Sequence, residues 1–146
     1  MNNNLLILGL DLLIFQLGPN TYEKYILRKH IEKVMFVCNN YSWENYSGKE
    51  GMEFFSKDMQ RILYLNDIKY NIQYIKENKV ISKGYIDRIN DIKTDGKKAQ
   101  ISLVSRRIIT DIKSTADFKT LMVISLYKEN NKWIIDNIIF SKKEVL

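Results

Sequence analysis

The spacing of apolar residues changes near Asn66, and this change constrains the fold more than any other feature of the chain. Before it, apolar residues recur every three or four positions, which predicts amphipathic helices. After it, they alternate with polar residues or form short runs, which predicts β-strands. Helices followed by strands are typical of an α+β domain in which helices cover one face of an antiparallel sheet.

Two capping boxes mark the starts of the predicted helices. The stretch Asn20–Glu23 predicts a first helix over about 21–38, and Ser47–Glu50 predicts a second that ends near Tyr64. The polar and aromatic residues 39–46 form a connector between them. One side of the first helix carries a stripe at helical spacing, which we expect to be buried. The stripe consists of Leu27, Ile31, Val34, Met35 and Cys38.

Strong turn signals divide the second half of the chain into strands. Asp95-Gly96 and Asn130-Asn131 predict tight hairpins, and a looser turn is expected at Ser114–Asp117. The predicted strands are 68–74, 80–93, 98–112, 118–129 and 132–140. We therefore expect a single α+β domain over residues 20–146. Its N-terminal helices would lie on a curved, cone-shaped sheet of about five antiparallel strands.

Residues 1–19 form a separate apolar N-terminal segment. Residues 5–17 are almost continuously apolar, with Asp11 in the middle. This is shorter than the roughly 20 residues that cross a membrane, and the chain opens with asparagines rather than the basic residues of a secretory signal. Three interpretations stay open: a buried or membrane-interfacial helix, the remnant of a membrane anchor, or an atypical signal. Membrane contact through residues 5–17 is thus one of the alternatives.

The net charge of +6 comes from the second half of the chain. Residues 1–67 carry 7 Lys/Arg and 8 Asp/Glu, whereas residues 68–146 carry 16 and 9. A basic sheet suits nucleic acid, anionic lipid or an acidic partner, but it also suits a plain solvated surface. The lysines alternate with acids, and the aromatic residues lie at core spacing. A stacking platform for nucleic acid is therefore not predicted.

Few residues carry the signature of a catalytic or metal site. His30 is the single histidine, and it flanks the apolar stripe of the first helix, where a structural role is expected. Cys38 is the single cysteine, so neither a disulfide nor a zinc cluster is predicted. The six glycines are scattered and form no phosphate-binding loop. We predict no metal and no cofactor, and the residues favour a protein without catalytic activity.

Arg106 and Arg107 are the strongest candidates for contact with a ligand or anion. Neighbours on a strand point to opposite faces, so one of the two must face the helix-covered side. A buried arginine needs a carboxylate partner, and we expect Asp87 or Asp91 on the adjacent strand to supply it. The alternative is an anion bound inside the cone.

The last two strands are apolar on both faces, and the first helix has aromatic residues on its nominally exposed side. Both features predict an interface with a second copy of the chain or with another protein. The predicted interface residues are Tyr22, Tyr25, Phe36, Leu121, Val123, Tyr127, Ile134, Ile138 and Phe140.

The layout of residues 21–141 and the final stretch Asn131–Ile138 resemble the cystatin-like, nuclear-transport-factor-2-like superfamily. Within it, the apolar N-terminal segment and the connector Asn40–Trp43 resemble extracytoplasmic domains of conjugation scaffold proteins. Those domains belong to type IV secretion systems of Gram-positive mobile elements. The resemblance implies a non-enzymatic, oligomeric assembly factor that is membrane-associated and extracytoplasmic. Without it, the chain would be expected in the cytoplasm.

Two functions therefore agree with the sequence. The first is a non-catalytic protein–protein interaction module, most simply a scaffold of a secretion or conjugation apparatus. The alternative is a small-molecule-binding protein or enzyme that uses the interior of the cone. An open cavity with converging polar groups would favour the second function, whereas an interior filled by aromatic and aliphatic side chains would favour the first.

Overall fold

The structure is a computed structural model that describes residues 19–64 and 69–146. Within these residues the chain forms three α-helices and a curled, five-stranded antiparallel sheet, which confirms the predicted α+β class. The helices are α1 (Pro19–Asn39), α2 (Lys57–Leu63) and α3 (Lys69–Glu77), with a 3-10 turn at Met52–Phe54. The strands are β1 (Tyr41–Ser42), β2 (Ile81–Thr94), β3 (Lys98–Thr110), β4 (Thr115–Glu129) and β5 (Lys132–Val145).

Each strand pairs with its neighbour in the chain, in the order β1-β2-β3-β4-β5. Two of the predicted turns are confirmed by their backbone geometry. Gly96 has a φ of 87° in the β2–β3 turn, and Asn130 and Asn131 have φ values of 50° and 59° in the β4–β5 turn. In the β4–β5 turn, positive φ at both central residues matches the twist of the flanking strands. The third turn lies at Asp111–Ser114, slightly earlier than predicted, because the Asp111 carboxylate accepts the N–H groups of Lys113 and Ser114.

Bulges curl the sheet and reverse the direction of some side chains. The register shifts twice in β2 and twice in β5, and each shift increases the local twist. In β5 the first shift brings Ile135 opposite Leu126 but Asn137 opposite Ser125. As a result, Ile138 and Phe140 lie on the same inner face as Ile135. Simple alternation had placed them on the opposite face, and that assignment is wrong.

The core lies between α1 and the inner face of the sheet. Leu27, Ile31, Val34 and Met35 of the predicted stripe are buried, while Cys38 is partly buried at its end. They belong to one cluster with buried residues of the strands, including Ile101, Leu103, Ile124, Trp133 and Ile135. Within the described residues α1 already includes Pro19 and Asn20, so Asn20 is a helical residue and not the predicted N-cap.

The strand predicted over 68–74 is wrong, because the described residues of this region form α3. Its buried and half-buried residues, Ile75 and Ile72, are three positions apart, whereas Tyr74 is 54% exposed. The alternation of aromatic and aliphatic residues with polar residues therefore indicated a strand, although the segment is helical. Behind the helix, Lys79 has a φ of 51°, and the Val80 N–H donates to the Ile75 carbonyl. This is the hydrogen bond of a Schellman motif at the C-terminus of a helix. The sheet still has five strands, because the short strand β1 takes the place of the strand predicted over 68–74.

The second predicted helix is interrupted at its start. The Glu50 side chain does accept the Ser47 N–H at 2.7 Å, as in a capping box. However, Gly48 and Gly51 both have positive φ and the chain turns instead of continuing as a helix. The cap of α2 is Ser56, whose hydroxyl accepts the Met59 N–H. α2 and the 3-10 turn then lie along β5, where Ser56 N–H donates to the Ile135 carbonyl.

Candidate ligand-binding site

Arg106 and Arg107 lie in the C-terminal half of β3 and point to opposite faces, as predicted. Arg107 stands opposite Gly84 of β2 and Phe118 of β4, and it faces inward. Arg106 faces outward and binds the Asp117 carboxylate through two hydrogen bonds of 3.0 and 2.6 Å. This pair raises the pKa of Arg106 and lowers the pKa of Asp117, chiefly through the hydrogen bonds themselves.

The predicted ion pair between the inward arginine and Asp87 or Asp91 is wrong. Asp87 binds Lys119 at 3.1 Å, and Asp91 lies near Lys93 at 3.8 Å. The reason is that Gly84 stands opposite Arg107 on β2, whereas Asp87 and Asp91 lie on the outer side of the strand. The prediction relied on the pairing of the two strands across the Asp95-Gly96 turn and did not establish which face of β2 the two acids occupy.

Arg107 is instead held by two neutral oxygens. Its Nε donates to Ser82 Oγ at 2.9 Å, and its Nη2 donates to the Tyr41 hydroxyl at 2.7 Å. The guanidinium also lies over the Tyr41 ring, 5.6 Å from its centroid. Among the described residues, no Asp or Glu oxygen lies within 4.0 Å of it. Arg107 is thus oriented by its neighbours without being neutralised by them.

Ser82 and Tyr41 were missed by the sequence analysis. Ser82 is 1% exposed, and its hydroxyl donates to the Asn39 carbonyl at the end of α1. Gly84 approaches the same helix end so closely that a Cβ there would lie 2.7 Å from Asn39 Cβ. Two small residues at successive inward positions of β2 are the signal that was available. They leave space for a long side chain arriving from the next strand.

Arg107 faces a cavity of about 690 Å³ beneath the C-terminal half of α1. The buried walls come from the core of the domain: Val34, Met35, Met122, Ile124 and Ile135. Ser105 and Thr120, which flank Arg107 on the inner face, add two hydroxyl groups to the lining. The space is largely apolar with a few polar groups on one side, and its volume is that of a small-molecule site.

The rim of the cavity is apolar and partly exposed. It is formed by Leu63, Ile109, Phe118, Ile138 and Phe140. Phe140 is 67% exposed, so a large aromatic ring stands at the opening. Lys143 completes the rim, with its Nζ 4.1 Å from the centroid of the Phe118 ring. The lining residues therefore include two cations and no carboxylate within the described part of the chain.

Cys38 lines the cavity but is not an activated nucleophile. Burial raises the pKa of its thiol to about 12, and the nearby charges of Glu53 and Glu50 act in the same direction. A thiol reacts as its thiolate, so Cys38 is protonated and unreactive at neutral pH. Burial also lowers the pKa of His30, with a further contribution from Lys33. The His30 ring packs edge-on against Phe54 and does not line the cavity.

The residues of the predicted interface fall into three places. Tyr22 and Phe36 are exposed on α1, and Tyr25 is half-buried beside Lys29. Leu121, Val123, Tyr127 and Ile134 are half-buried on the outer face of β4 and β5. Ile138 and Phe140, by contrast, line the cavity. The interface itself stays a prediction, but its last two residues lie on a different surface from the others.

No described helix is both long enough and apolar enough to cross a membrane. The apolar stretch 5–17 lies outside the described residues. Within those residues, no group of three or more His, Cys, Asp or Glu side chains is arranged to hold a metal ion. Comparisons with protein-family models, with curated proteins and with solved structures find no match for this chain.

Proposed function

We propose that this protein is a non-catalytic binding protein that takes a small, largely apolar molecule into the cavity beneath α1. The observation that carries this proposal is the cavity itself, about 690 Å³ in volume. A protein that served only as a scaffold was expected to have this interior filled by aromatic and aliphatic side chains. Apolar walls with a few converging polar groups are the usual composition of a small-molecule site.

The chemistry of the lining residues supports binding rather than catalysis. Cys38 holds its proton at neutral pH, and the single histidine does not line the cavity. The remaining polar groups, Arg107, Lys143, Ser105 and Thr120, can donate hydrogen bonds and fix the orientation of a ligand. Orientation by a few donors within apolar walls is what a carrier or sensor needs.

The test is to fill the cavity of the full chain without disturbing the rest of the sheet. Ile138 lies on the cavity rim, and its neighbour Ile139 is 54% exposed on the outer face. We expect Ile138→Trp to abolish saturable binding of the neutral dye Nile red, measured by fluorescence, and Ile139→Trp to leave it intact. Melting temperatures of both variants report whether they fold. Equal dye binding by the two variants, or none by the parent protein, would refute the proposal.

We also propose a second candidate function, the assembly module of a secretion or conjugation apparatus that the superfamily resemblance implies. Its support is two apolar cross-strand pairs on the outer face of the sheet, Val123 opposite Ile139 and Tyr127 opposite Ile134, which the polar pair Ser125–Asn137 separates. Cross-strand apolar pairs on a face away from the helices are typical of surfaces that a partner covers.

Oligomeric state tests this second function directly. If the outer face binds a second copy, the full chain forms a dimer or larger species in analytical ultracentrifugation at micromolar concentration. Val123→Lys then shifts it toward the monomer, because a buried lysine at an interface is costly. Thr21→Lys, at an exposed position of α1 on the other side of the sheet, serves as the matched control. A parent protein that stays monomeric at high concentration would leave only a different partner for this face.

A further inference from the structure

We infer that the ligand of the cavity is an amphipathic monocarboxylate, with its head group on Arg107 and its apolar chain along the cavity walls. This inference rests on the proposed small-molecule function and names the chemical class of the molecule. It follows from the charge of the cavity, from the geometry of Arg107 and from the nature of the walls.

The charge of the cavity is one-sided. Arg107 and Lys143 are its charged lining residues, and none of the described lining residues is acidic. A half-buried arginine without a carboxylate partner is uncommon, because removing a guanidinium from water is costly unless its charge is compensated. The neighbouring Arg106 shows the ordinary solution, a bidentate pair with Asp117 on the outer face. On the inner face, a bound anion would provide the same compensation for Arg107.

Arg107 is already oriented for such an anion. Its hydrogen bonds to Ser82 and Tyr41 use two of the five N–H groups of the guanidinium and fix its plane. Ser82 is in turn fixed by its hydrogen bond to the Asn39 carbonyl. The remaining N–H groups are available for a planar acceptor. A guanidinium fork matches a carboxylate in both geometry and charge, and pre-orientation reduces the entropy cost of binding.

The walls select an apolar chain beyond the head group. Met35 and Met122 lie on opposite sides of the cavity, one on α1 and one on β4. Methionine is flexible and polarizable, so it adapts to chains of different shape. Ile124 and Ile135 close the interior, and both are 0% exposed. A molecule with one carboxylate and an unbranched or aromatic apolar body satisfies both ends of this cavity.

The experiment compares ligands with one chain and different head groups. Decanoate, decanol, decyl phosphate and decyltrimethylammonium compete with Nile red for the full chain at neutral pH. We expect decanoate to bind at least 10-fold more tightly than decanol, since a hydrogen-bonded charge pair contributes about 10- to 100-fold in affinity. Decyltrimethylammonium should bind most weakly, because the cavity is cationic.

The two adjacent arginines supply a matched pair of variants. Arg107→Met keeps the length of the side chain and removes its charge, so it should weaken decanoate binding about 10- to 100-fold and leave decanol binding unchanged. Arg106→Met, on the outer face, should change neither. Arg107→Lys keeps the charge without the fork and should recover only part of the affinity. Lys143→Met should have an effect of about threefold or less, because its amine lies at the exposed rim.

Each outcome discriminates. Equal binding of decanoate and decanol by the parent protein, or tighter binding of decyl phosphate, overturns the carboxylate assignment but leaves the cavity as a binding site. Loss of decanol binding in Arg107→Met assigns a structural role to this arginine and also overturns the inference. If Arg107→Met fails to fold, the parent comparison and Arg107→Lys still decide. If neither Nile red nor any decyl compound binds, the proposed function itself fails.

Discussion

The inner face of the sheet has two halves that are built from the same strands but are filled to different degrees. In the half nearest the β2–β3 turn, Ile101 and Leu103 of β3 are 0% exposed beneath Leu27 and Ile31 of α1. We call this the closed half. In the other half, from Ser105 and Thr120 onward, the same strands line the cavity around Arg107, and Met122 and Ile124 of the closed half form its inner wall. We call this the open half.

The difference shows that strand alternation determines which face a side chain occupies but not whether that face is filled. Both halves have inward-facing residues at every second position of β3. In the closed half, large aliphatic residues of the strands meet large aliphatic residues of α1. In the open half, Asn39 and Cys38 occupy the end of the helix and Ser82 and Gly84 the facing strand, so less volume is provided. A cavity results where small and polar residues coincide on two elements.

The largest expected difference between the halves is in the free energy of unfolding that is lost when one isoleucine in each is truncated to alanine. Ile31→Ala leaves a void in the closed half and should lower the free energy of unfolding by about 2–5 kcal/mol. Ile138→Ala, at the rim of the open half, enlarges an existing space and should cost about 1 kcal/mol. Urea denaturation monitored by Trp fluorescence measures both. Equal losses would mean that the open half is packed as tightly as the closed half.

A smaller effect is expected at the boundary between the halves. Ser82→Ala removes the acceptor of Arg107 Nε and the donor to the Asn39 carbonyl, leaving both groups without these partners. The expected loss is about 1–3 kcal/mol. Ser102→Ala, at a half-buried position of β3, is the control and should be close to neutral. If the two variants have the same melting temperature, the Ser82 contacts contribute nothing to stability and do not hold Arg107 in place.

The smallest effect is a pH dependence in the closed half. The folded pKa of His30 lies below its ordinary value of 6.5 because of burial and the charge of Lys33. Between those two pKa values the unfolded chain binds more protons than the folded one. Stability should therefore fall as the pH drops below about 6.5, and the loss is complete once the pH is below the folded pKa.

His30→Gln removes this titration and should flatten the melting temperature between pH 7.5 and pH 5, a difference of a few degrees. The scan stops at pH 5 because Glu50 and Asp117 also have lowered pKa values. Depressed carboxylates lose their stabilising contribution at still lower pH. Parallel curves for the parent protein and the variant would show that His30 remains accessible to protons in the folded state.

The sequence predicted the parts of the fold that depend on neighbouring residues. The α1 stripe from Leu27 to Met35, the Asp95-Gly96 turn and the Asn130-Asn131 turn are all local, and all are present. It failed where a local pattern had two interpretations. Tyr74 alternates with polar residues like a strand residue, but Ile72 and Ile75 also fit a helix, and packing of Ile75 together with the ending at Lys79 decides for the helix.

Of the candidate site, the sequence predicted only the inward-facing arginine. Adjacent arginines on a strand must diverge, so the sequence alone determined that one of Arg106 and Arg107 would face inward. Regular alternation along β3 places Arg107 on the inner face with Ile101 and Leu103. Its partners depended on which residues of β1 and β2 lie beside it, and no local pattern marks those residues. The same is true of Ile138 and Phe140, which the bulges of β5 turn toward the cavity.

The sequence by itself thus determined the α+β class, the hairpin order of the long strands and the presence of an inward arginine, because turn chemistry and side-chain periodicity act over a few residues. Only the tertiary structure decided that Arg107 meets Ser82 and Tyr41 instead of an acid, and that a cavity of about 690 Å³ lies before it. Those outcomes depend on how far α1 stands from a bulged sheet, which is a property of elements distant in the chain. The cavity is the space that remains between α1 and the sheet after the side chains of both have packed.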